Sequence, residues 1–214
     1  MVFNSINDKI TKALSECGIK EPTEIQEKAI PVILEGKDVI GISKTGSGKT
    51  AAFGIPLLEQ IESNKKLQIV VLAPTRELAI QISRELTKFG KYLKFNIATV
   101  YGGVGYDDQI RNMKTSEILV GTPGRILDHL ERDNLNLQNV KYFVLDEADK
   151  MVSMGFIEDI TRILQKTPKK KQMLLFGATI SNEVKHIKAK FMKEPITIKA
   201  EMHVHKEALK QYFY

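Results

Sequence analysis

The stretch that decides the fold reads Asp38-Val39-Ile40-Gly41-Ile42-Ser43-Lys44-Thr45-Gly46-Ser47-Gly48-Lys49-Thr50-Ala51-Ala52-Phe53. An apolar run of strand length passes into a glycine-rich turn, and the turn opens directly into an apolar helix. Glycines let successive backbone N–H groups turn inward around an anion, and the helix N-terminus adds its partial positive charge. Lys49 can then reach the β and γ oxygens of a triphosphate, and the Thr50 hydroxyl can ligate magnesium. Ser43 stands where the general G-x-x-x-x-G-K-[ST] pattern has its first glycine, so the strict match is incomplete. The segment 46–51 also satisfies the dinucleotide fingerprint G-x-G-x-x-[GA]. That rival needs a ribose-binding acid about 20 residues on. The next strand ends Leu72-Ala73-Pro74 without one. The rival also gives Lys49 and Thr50 no role, so the triphosphate reading is preferred.

Outward from this turn, runs rich in Val, Ile, Leu and Phe recur at 38–42, 68–73, 96–100, 118–120, 142–146, 172–176 and 196–199. Runs such as Ile69-Val70-Val71-Leu72 are apolar without alternation, the pattern of parallel strands covered on both faces. Helical patterns at 51–61, 77–89, 109–113, 125–132, 157–164 and 182–191 supply the crossovers that parallel pairing needs. The prediction is an α/β fold: a mostly parallel, doubly wound sheet of about seven strands with helices on both faces. Two more helices are predicted before the first strand, at 7–17 and 24–34, divided by Gly18 and Pro22. Thr23 is placed to cap the second, with Gln26 reaching back as a capping box.

At 214 residues the chain is expected to form one sizeable domain, and its 43% apolar and 27% charged content is that of a packed globular protein. No apolar run approaches the roughly 20 residues of a membrane span, and residues 1–11 are polar where a signal peptide would be apolar. A cytoplasmic protein is expected. Cys17 is the single cysteine, which excludes an intramolecular disulfide and a thiolate zinc cage, and it is expected as a half-buried helix residue. The 32 basic against 26 acidic residues give a charge of +6, which favours polyanionic partners without identifying one. Lys169-Lys170-Lys171 reads as a solvated loop.

The 142–146 run ends in Asp146-Glu147-Ala148-Asp149, acids at the sheet edge where ligands of such folds bind. Beside a phosphate loop, Asp146 is the expected holder of magnesium, partly through water, and Glu147 can accept the proton of an attacking water. Other strand ends carry Pro74-Thr75-Arg76-Glu77, Tyr101-Gly102-Gly103 and Gly121-Thr122-Pro123-Gly124-Arg125. Small residues, hydroxyls and guanidinium forks at helix starts suit the oxygens of a sugar-phosphate backbone and read no bases. Each alone is equally a turn or a cap; together they predict a surface that tracks a strand.

These residues resemble the DEAD-box ATP-dependent RNA helicases, specifically the first of that family's two RecA-like domains. The likeness runs from Phe3 to about Lys199, with the motifs in order. Residues 18–26 resemble the Q motif, 43–50 motif I, 74–79 motif Ia, Gly102-Gly103 the GG element, 122–125 motif Ib, 146–149 motif II and 177–179 motif III. The family tolerates a small residue at the place of Ser43. The resemblance implies that Ser43, Lys44, Thr45, Gly46, Ser47, Gly48, Lys49 and Thr50 hold ATP or ADP with Mg2+. Gln26 would take the adenine edge, with Phe3 and Ile19 as apolar cover. Ile19 replaces an aromatic common in the family, which implies plain apolar contact there. Pro74, Thr75, Arg76, Gly102, Gly103, Thr122, Pro123, Gly124 and Arg125 would hold an RNA backbone.

Asp149, Gly177, Ala178 and Thr179 would couple hydrolysis to RNA remodelling. Gly177 departs from the family's usual serine, whose hydroxyl bridges to the last acid of motif II, so weakened coupling is expected with ATP binding intact. The implied organisation is a helical Q-motif region at 1–36, a RecA-like ATP-binding domain at 37–200 and the start of an interdomain connector at 201–214. The family's second RecA-like domain, with its arginine finger, would lie outside this chain as its partner. A monomer is expected, nearly inactive as an isolated domain, and His203 and His205 are expected in a solvated tail. Two other readings remain open: an RNA-clamping module that does not unwind, and a different phosphate-loop enzyme such as a DNA translocase or small-molecule kinase.

Overall fold

Seven runs of four to six mostly apolar residues form strands, and the helices between them return the chain so that every pair in the sheet is parallel. The computed structural model describes residues 2–64 and 66–200. The expected connector at 201–214, with its histidine pair, lies outside the described residues. In chain order a 3-10 turn (Val2–Ser5) leads to α1 (Asp8–Glu16), α2 (Glu24–Leu34), β1 (Val39–Ile42), α3 (Lys49–Glu59), β2 (Ile69–Leu72) and α4 (Arg76–Phe89). Then come β3 (Ile97–Val100), α5 (Asp107–Met113), β4 (Ile118–Gly121), α6 (Pro123–Glu131), β5 (Tyr142–Leu145), α7 (Ala148–Ser153), α8 (Ile157–Gln165), β6 (Gln172–Gly177), α9 (Asn182–Phe191) and β7 (Ile196–Lys199).

The strand order is β3-β4-β2-β5-β6-β1-β7. Alternate residues of each strand feed opposite faces. Val39, Ile69, Val71, Val144, Leu174 and Phe176 join the helices α1 to α4 in one core. Ile40, Val70, Leu72, Phe143, Leu145 and Leu175 join α5 to α9 in the other. The first two helices therefore belong to the same core as the sheet: Ile10, Leu14, Ile25 and Ile30 are buried among residues of α3 and α4. Among the described residues no helix is long and apolar enough to cross a membrane.

Two differences from the sequence reading matter. Cys17 is exposed and sits at the C-cap of α1, its N–H donating to the carbonyls of Ala13 and Leu14. Its spacing from Ile10, Ala13 and Leu14 would set it on the buried face, but the helix stops at Glu16 and the turn through Gly18, with φ of 77°, peels it away. The short helix α7 was not expected either. It begins on the acids of motif II and is too short and too polar to show a helical period.

Candidate active site

All of the motif residues after the Q-motif segment lie at the C-terminal edge of the sheet, and the strand order divides them into two halves. The loops after β1, β5 and β6 form one half; those after β3, β4 and β2 form the other.

In the first half, the loop 43–48 is closed on itself. The Lys49 ammonium, mostly buried, donates to the carbonyls of Ser43 (3.1 Å) and Lys44 (2.9 Å). The Ser43 and Ser47 hydroxyls share a bond of 2.7 Å. Thr23 Oγ1 donates to the Ser47 carbonyl (2.8 Å), and Gln26 Nε2 donates to that of Gly48 (3.1 Å). Gln26 Oε1 accepts from the Thr23 N–H (3.1 Å), one half of the capping box, which holds together the two side chains that reach the loop. Gly48 has φ of 89°, and a Cβ there would stand 2.3 Å from Gln26 Nε2. Glycine is thus required twice over, by conformation and by the approach of Gln26.

Lys49, Thr50, Asp146 and Glu147 line one cavity of about 400 Å³, together with Thr45, Gly46, Gly48, Thr75 and Lys150. The convergence expected from the sequence is therefore present. Asp146 is only 3% exposed, and burial pushes its carboxyl up to about 7 against the pull of Lys49. Glu147 occupies the left-handed region (φ 51°), uncommon for a residue with a side chain, at the N-cap of α7. Its carboxylate lies 3.4 Å from Lys150 Nζ. The sequence reading missed the wall that α4 gives this cavity, Glu77, Gln81 and Glu85. They stand on one helical face at four-residue spacing, a signal that was legible.

A neighbouring cavity of about 400 Å³ carries Lys49 and Glu147 on to Asp149, Ala178 and Thr179. Asp149 Oδ2 accepts from the Ala178 N–H (3.1 Å), the Thr179 N–H (2.9 Å) and the Thr179 hydroxyl (3.0 Å). Motifs II and III are thus bridged without a hydroxyl at Gly177, where a Cβ would stand 3.0 Å from Asp149 Oδ1.

The residues expected on the adenine side are only partly gathered. Gln26, Thr23 and Ile19 line a cavity of about 930 Å³ with Gly46, Gly48 and Thr50. Phe3 lines a different cavity, with Ile6, Leu14 and Ile19, so Ile19 stands between Phe3 and Gln26.

In the second half, Thr75 caps α4 by accepting from the Leu78 N–H (3.2 Å), and the Arg76 guanidinium lies 4.7 Å from the centre of the Tyr101 ring. Pro123 occupies the first turn of α6, with Thr122 as its N-cap. Arg125 Nη2 donates to the Val104 carbonyl (3.0 Å) and its guanidinium covers the Tyr106 ring at 4.3 Å. Gly102 and Gly103 are exposed, and a Cβ on either would meet nothing within 4 Å. Gly103 needs glycine for its φ of 82°. Gly102 has no such need, and packing does not ask for glycine there. The positive charge of the chain lies elsewhere: from Lys166 to Lys193 there are eight lysines and one acid, Glu183, around the entry of β6 and along α9.

The family model for DEAD/DEAH box helicases matches residues 23–187. The chain is 47% identical over 196 residues to the ATP-dependent RNA helicase CshA of Limosilactobacillus reuteri, covering 91% of this chain and 39% of that protein. To the DEAD-box ATP-dependent RNA helicase CshA of Bacillus cereus it is 50% identical over 196 residues, covering 91% of this chain and 37% of that protein. The crystal structure of a DEAD box protein from the hyperthermophile Methanococcus jannaschii superposes with a TM-score of 0.90 at 45% identity, covering 92% of this chain and 55% of that one. The chain thus spans about two fifths of the length of the curated relatives it matches.

Proposed function

This chain belongs to the DEAD/DEAH box helicase family as an N-terminal RecA-like domain, and on that premise we propose that it binds ATP with magnesium and grips an RNA backbone. In this reading it hydrolyses ATP to remodel RNA once joined to a second RecA-like domain. The observation that carries the reading is the single cavity shared by Lys49, Thr50, Asp146 and Glu147. It brings a cation, a hydroxyl and two carboxylates to the N-terminus of α3, the donor set that a metal-bound triphosphate requires. Among the described residues no three His, Cys, Asp or Glu side chains gather as direct metal ligands. That fits an ion held by the Thr50 hydroxyl, with Asp146 acting partly through water. Magnesium, when bound, neutralises charge on the phosphate oxygens.

The rest is done by the chain itself. Lys49 exchanges the carbonyls of Ser43 and Lys44 for phosphate oxygens, which are charged and therefore stronger acceptors. Glu147 takes the proton of the attacking water. Gln26, already bonded to the loop, selects the base by its amide edge, with Ile19 as apolar cover and Phe3 packed beyond Ile19. Asp149 transmits the state of the site to Ala178 and Thr179 through its three hydrogen bonds. Thr75, Arg76, Gly102, Gly103, Thr122 and Arg125 hold the RNA. The second domain supplies the arginine finger, so this chain alone turns over slowly, by a factor on the order of 10³ or more. We further read the protein as a cytoplasmic monomer, in keeping with a lone exposed thiol that suits a reducing compartment.

The test is Glu147→Gln in the two-domain protein. RNA-stimulated phosphate release is expected to fall by about 10² to 10⁴ with magnesium-dependent nucleotide binding retained. Turnover equal to that of the unaltered protein, or stimulation by DNA as strong as by RNA, would overturn the proposal.

A further inference from the structure

His129 is wholly buried on α6 and is linked through Gln109 to the carbonyl that precedes the Gly102-Gly103 turn. Its Nε2 lies 3.0 Å from Gln109 Oε1, and Gln109 Nε2 donates to the Tyr101 carbonyl at 3.0 Å. A carbonyl can only accept, so the Gln109 amide must turn its nitrogen to Tyr101 and its oxygen to the imidazole. His129 must therefore carry its proton on Nε2 and donate it to Gln109. Nδ1 is left as a bare lone pair, buried and without a hydrogen-bond partner. Burial holds the imidazole below its ordinary pKa, and Arg125 and Arg132 add to this against the opposing pull of Asp128. The neutral ring is the state the surroundings support.

The same ring meets Tyr106 edge to face, with centroids 5.3 Å apart. Tyr106 donates its hydroxyl to Asp128, and Asp128 also accepts from Arg132 Nε at 2.7 Å. The guanidinium groups of Arg125 and Arg132 lie 4.3 Å and 4.8 Å from the centre of the Tyr106 ring. Arg125 then closes the loop by donating to the Val104 carbonyl. The turn is therefore bracketed: Gln109 holds the carbonyl before Gly102-Gly103, Arg125 holds the one after it, and His129 reaches both supports, Gln109 by a hydrogen bond and Arg125 through the Tyr106 ring.

We propose that His129 is a positioning residue for the RNA grip, fixing the Gly102-Gly103 turn through Gln109 and Arg125 through Tyr106. The proposal rests on the reading that this turn and Arg125 contact RNA. With the turn pre-ordered, binding does not have to meet the entropy of fixing a glycine pair, which is the largest per residue of any backbone.

The test uses this chain with a fluorescein-labelled single-stranded RNA at low salt, read by anisotropy, with thermal unfolding and nucleotide affinity measured in parallel. His129→Leu removes the donor and strands Gln109 Oε1. It is expected to bind RNA about tenfold more weakly, the effect of roughly one hydrogen bond to a charged group, with nucleotide affinity unchanged. His129→Gln offers an amide donor near the place of Nε2 and is expected to recover most of the affinity. The double variant Gln109→Met with His129→Leu buries no stranded oxygen, so its thermal stability recovers over that of His129→Leu. Its RNA affinity stays low, because nothing holds the Tyr101 carbonyl. If affinity follows thermal stability across these variants, or if His129→Leu binds RNA like the unaltered chain, the positioning role is overturned and the functional reading stands. If the unaltered chain binds no RNA at all, the functional reading itself fails. Should His129→Leu not fold, Gln109→Met alone must still weaken RNA binding and spare nucleotide binding, and equal RNA affinity there overturns the proposal.

Discussion

The two halves of the sheet edge differ in how their polar groups are spent. In the half built on β1, β5 and β6, groups that would serve a ligand are turned onto the protein: Lys49 bonds its own loop, and Asp146 is buried with its carboxyl pushed up to about 7. In the half built on β3, β4 and β2, Arg125 and Thr75 also bond the protein, but the Gly102-Gly103 turn is left uncovered. Gln109, His129, Tyr106 and Asp128 hold one another, and the exposed glycines face open space. One half must rearrange to act, and its stability is limited by what it keeps buried; the other is pre-organised.

The largest expected effect on binding sets the halves against each other. Lys49→Ala removes the buried ammonium that bonds the phosphate loop and is expected to weaken magnesium-nucleotide binding by about 100-fold, as for hydrogen bonds to charged groups worth about 1.5–3 kcal/mol. RNA binding without nucleotide should not change. Calorimetry with ADP and anisotropy with RNA check the two sides, and a parallel loss of both would erase the division.

An effect on stability follows from Asp146. Its folded pKa is raised above that of the unfolded chain, so the folded state binds more protons and stability falls as pH rises from about 4 through about 7. Asp146→Asn in chelator and without nucleotide should therefore be more stable than the unaltered chain at pH 8 and equal to it near pH 4. The whole shift corresponds to about 4 kcal/mol, and because Asn stands in for the protonated acid at every pH, most of it, a gain of about 4 kcal/mol, is expected at pH 8. Thermal unfolding across that window checks the sign, and a variant less stable at pH 8 would mean that Asp146 is not strained.

The smallest effect concerns Gly177. A serine Cβ would crowd Asp149 Oδ1 at 3.0 Å while its hydroxyl could add a bond to the same carboxylate. The opposing terms should leave stability within about 1 kcal/mol of the unaltered chain. In the two-domain protein Gly177→Ser is expected to raise unwinding per ATP. An unchanged ratio would mean that the Thr179 bridge carries the coupling by itself.

The arrangement of the half built on β1, β5 and β6 was largely legible before folding because its pattern is local. The order strand, glycine turn, Lys49, Thr50 and helix needs no distant partner to be read, and Asp146 and Glu147 follow an apolar strand in the same way. Cys17 was misjudged because a single turn at Gly18 overrode the helical period. The support of the second half was missed although Arg125, Asp128, His129 and Arg132 recur at three- and four-residue spacing along α6 and its C-cap. Spacing shows that such residues share a face. It does not show what that face meets.

The sequence by itself determined the parallel α/β architecture and the phosphate loop, because apolar period and turn chemistry act over a few residues. Only the tertiary structure decided that Phe3 and Gln26 line different cavities, that Lys49 is bonded to its own loop, and that His129 bonds Gln109, which in turn holds the Tyr101 carbonyl. Those facts depend on the order of strands in the sheet, β3-β4-β2-β5-β6-β1-β7, which brings together segments far apart in the chain. No local pattern encodes that order, since the central strands are apolar on both faces and would pair with one another in several orders equally well.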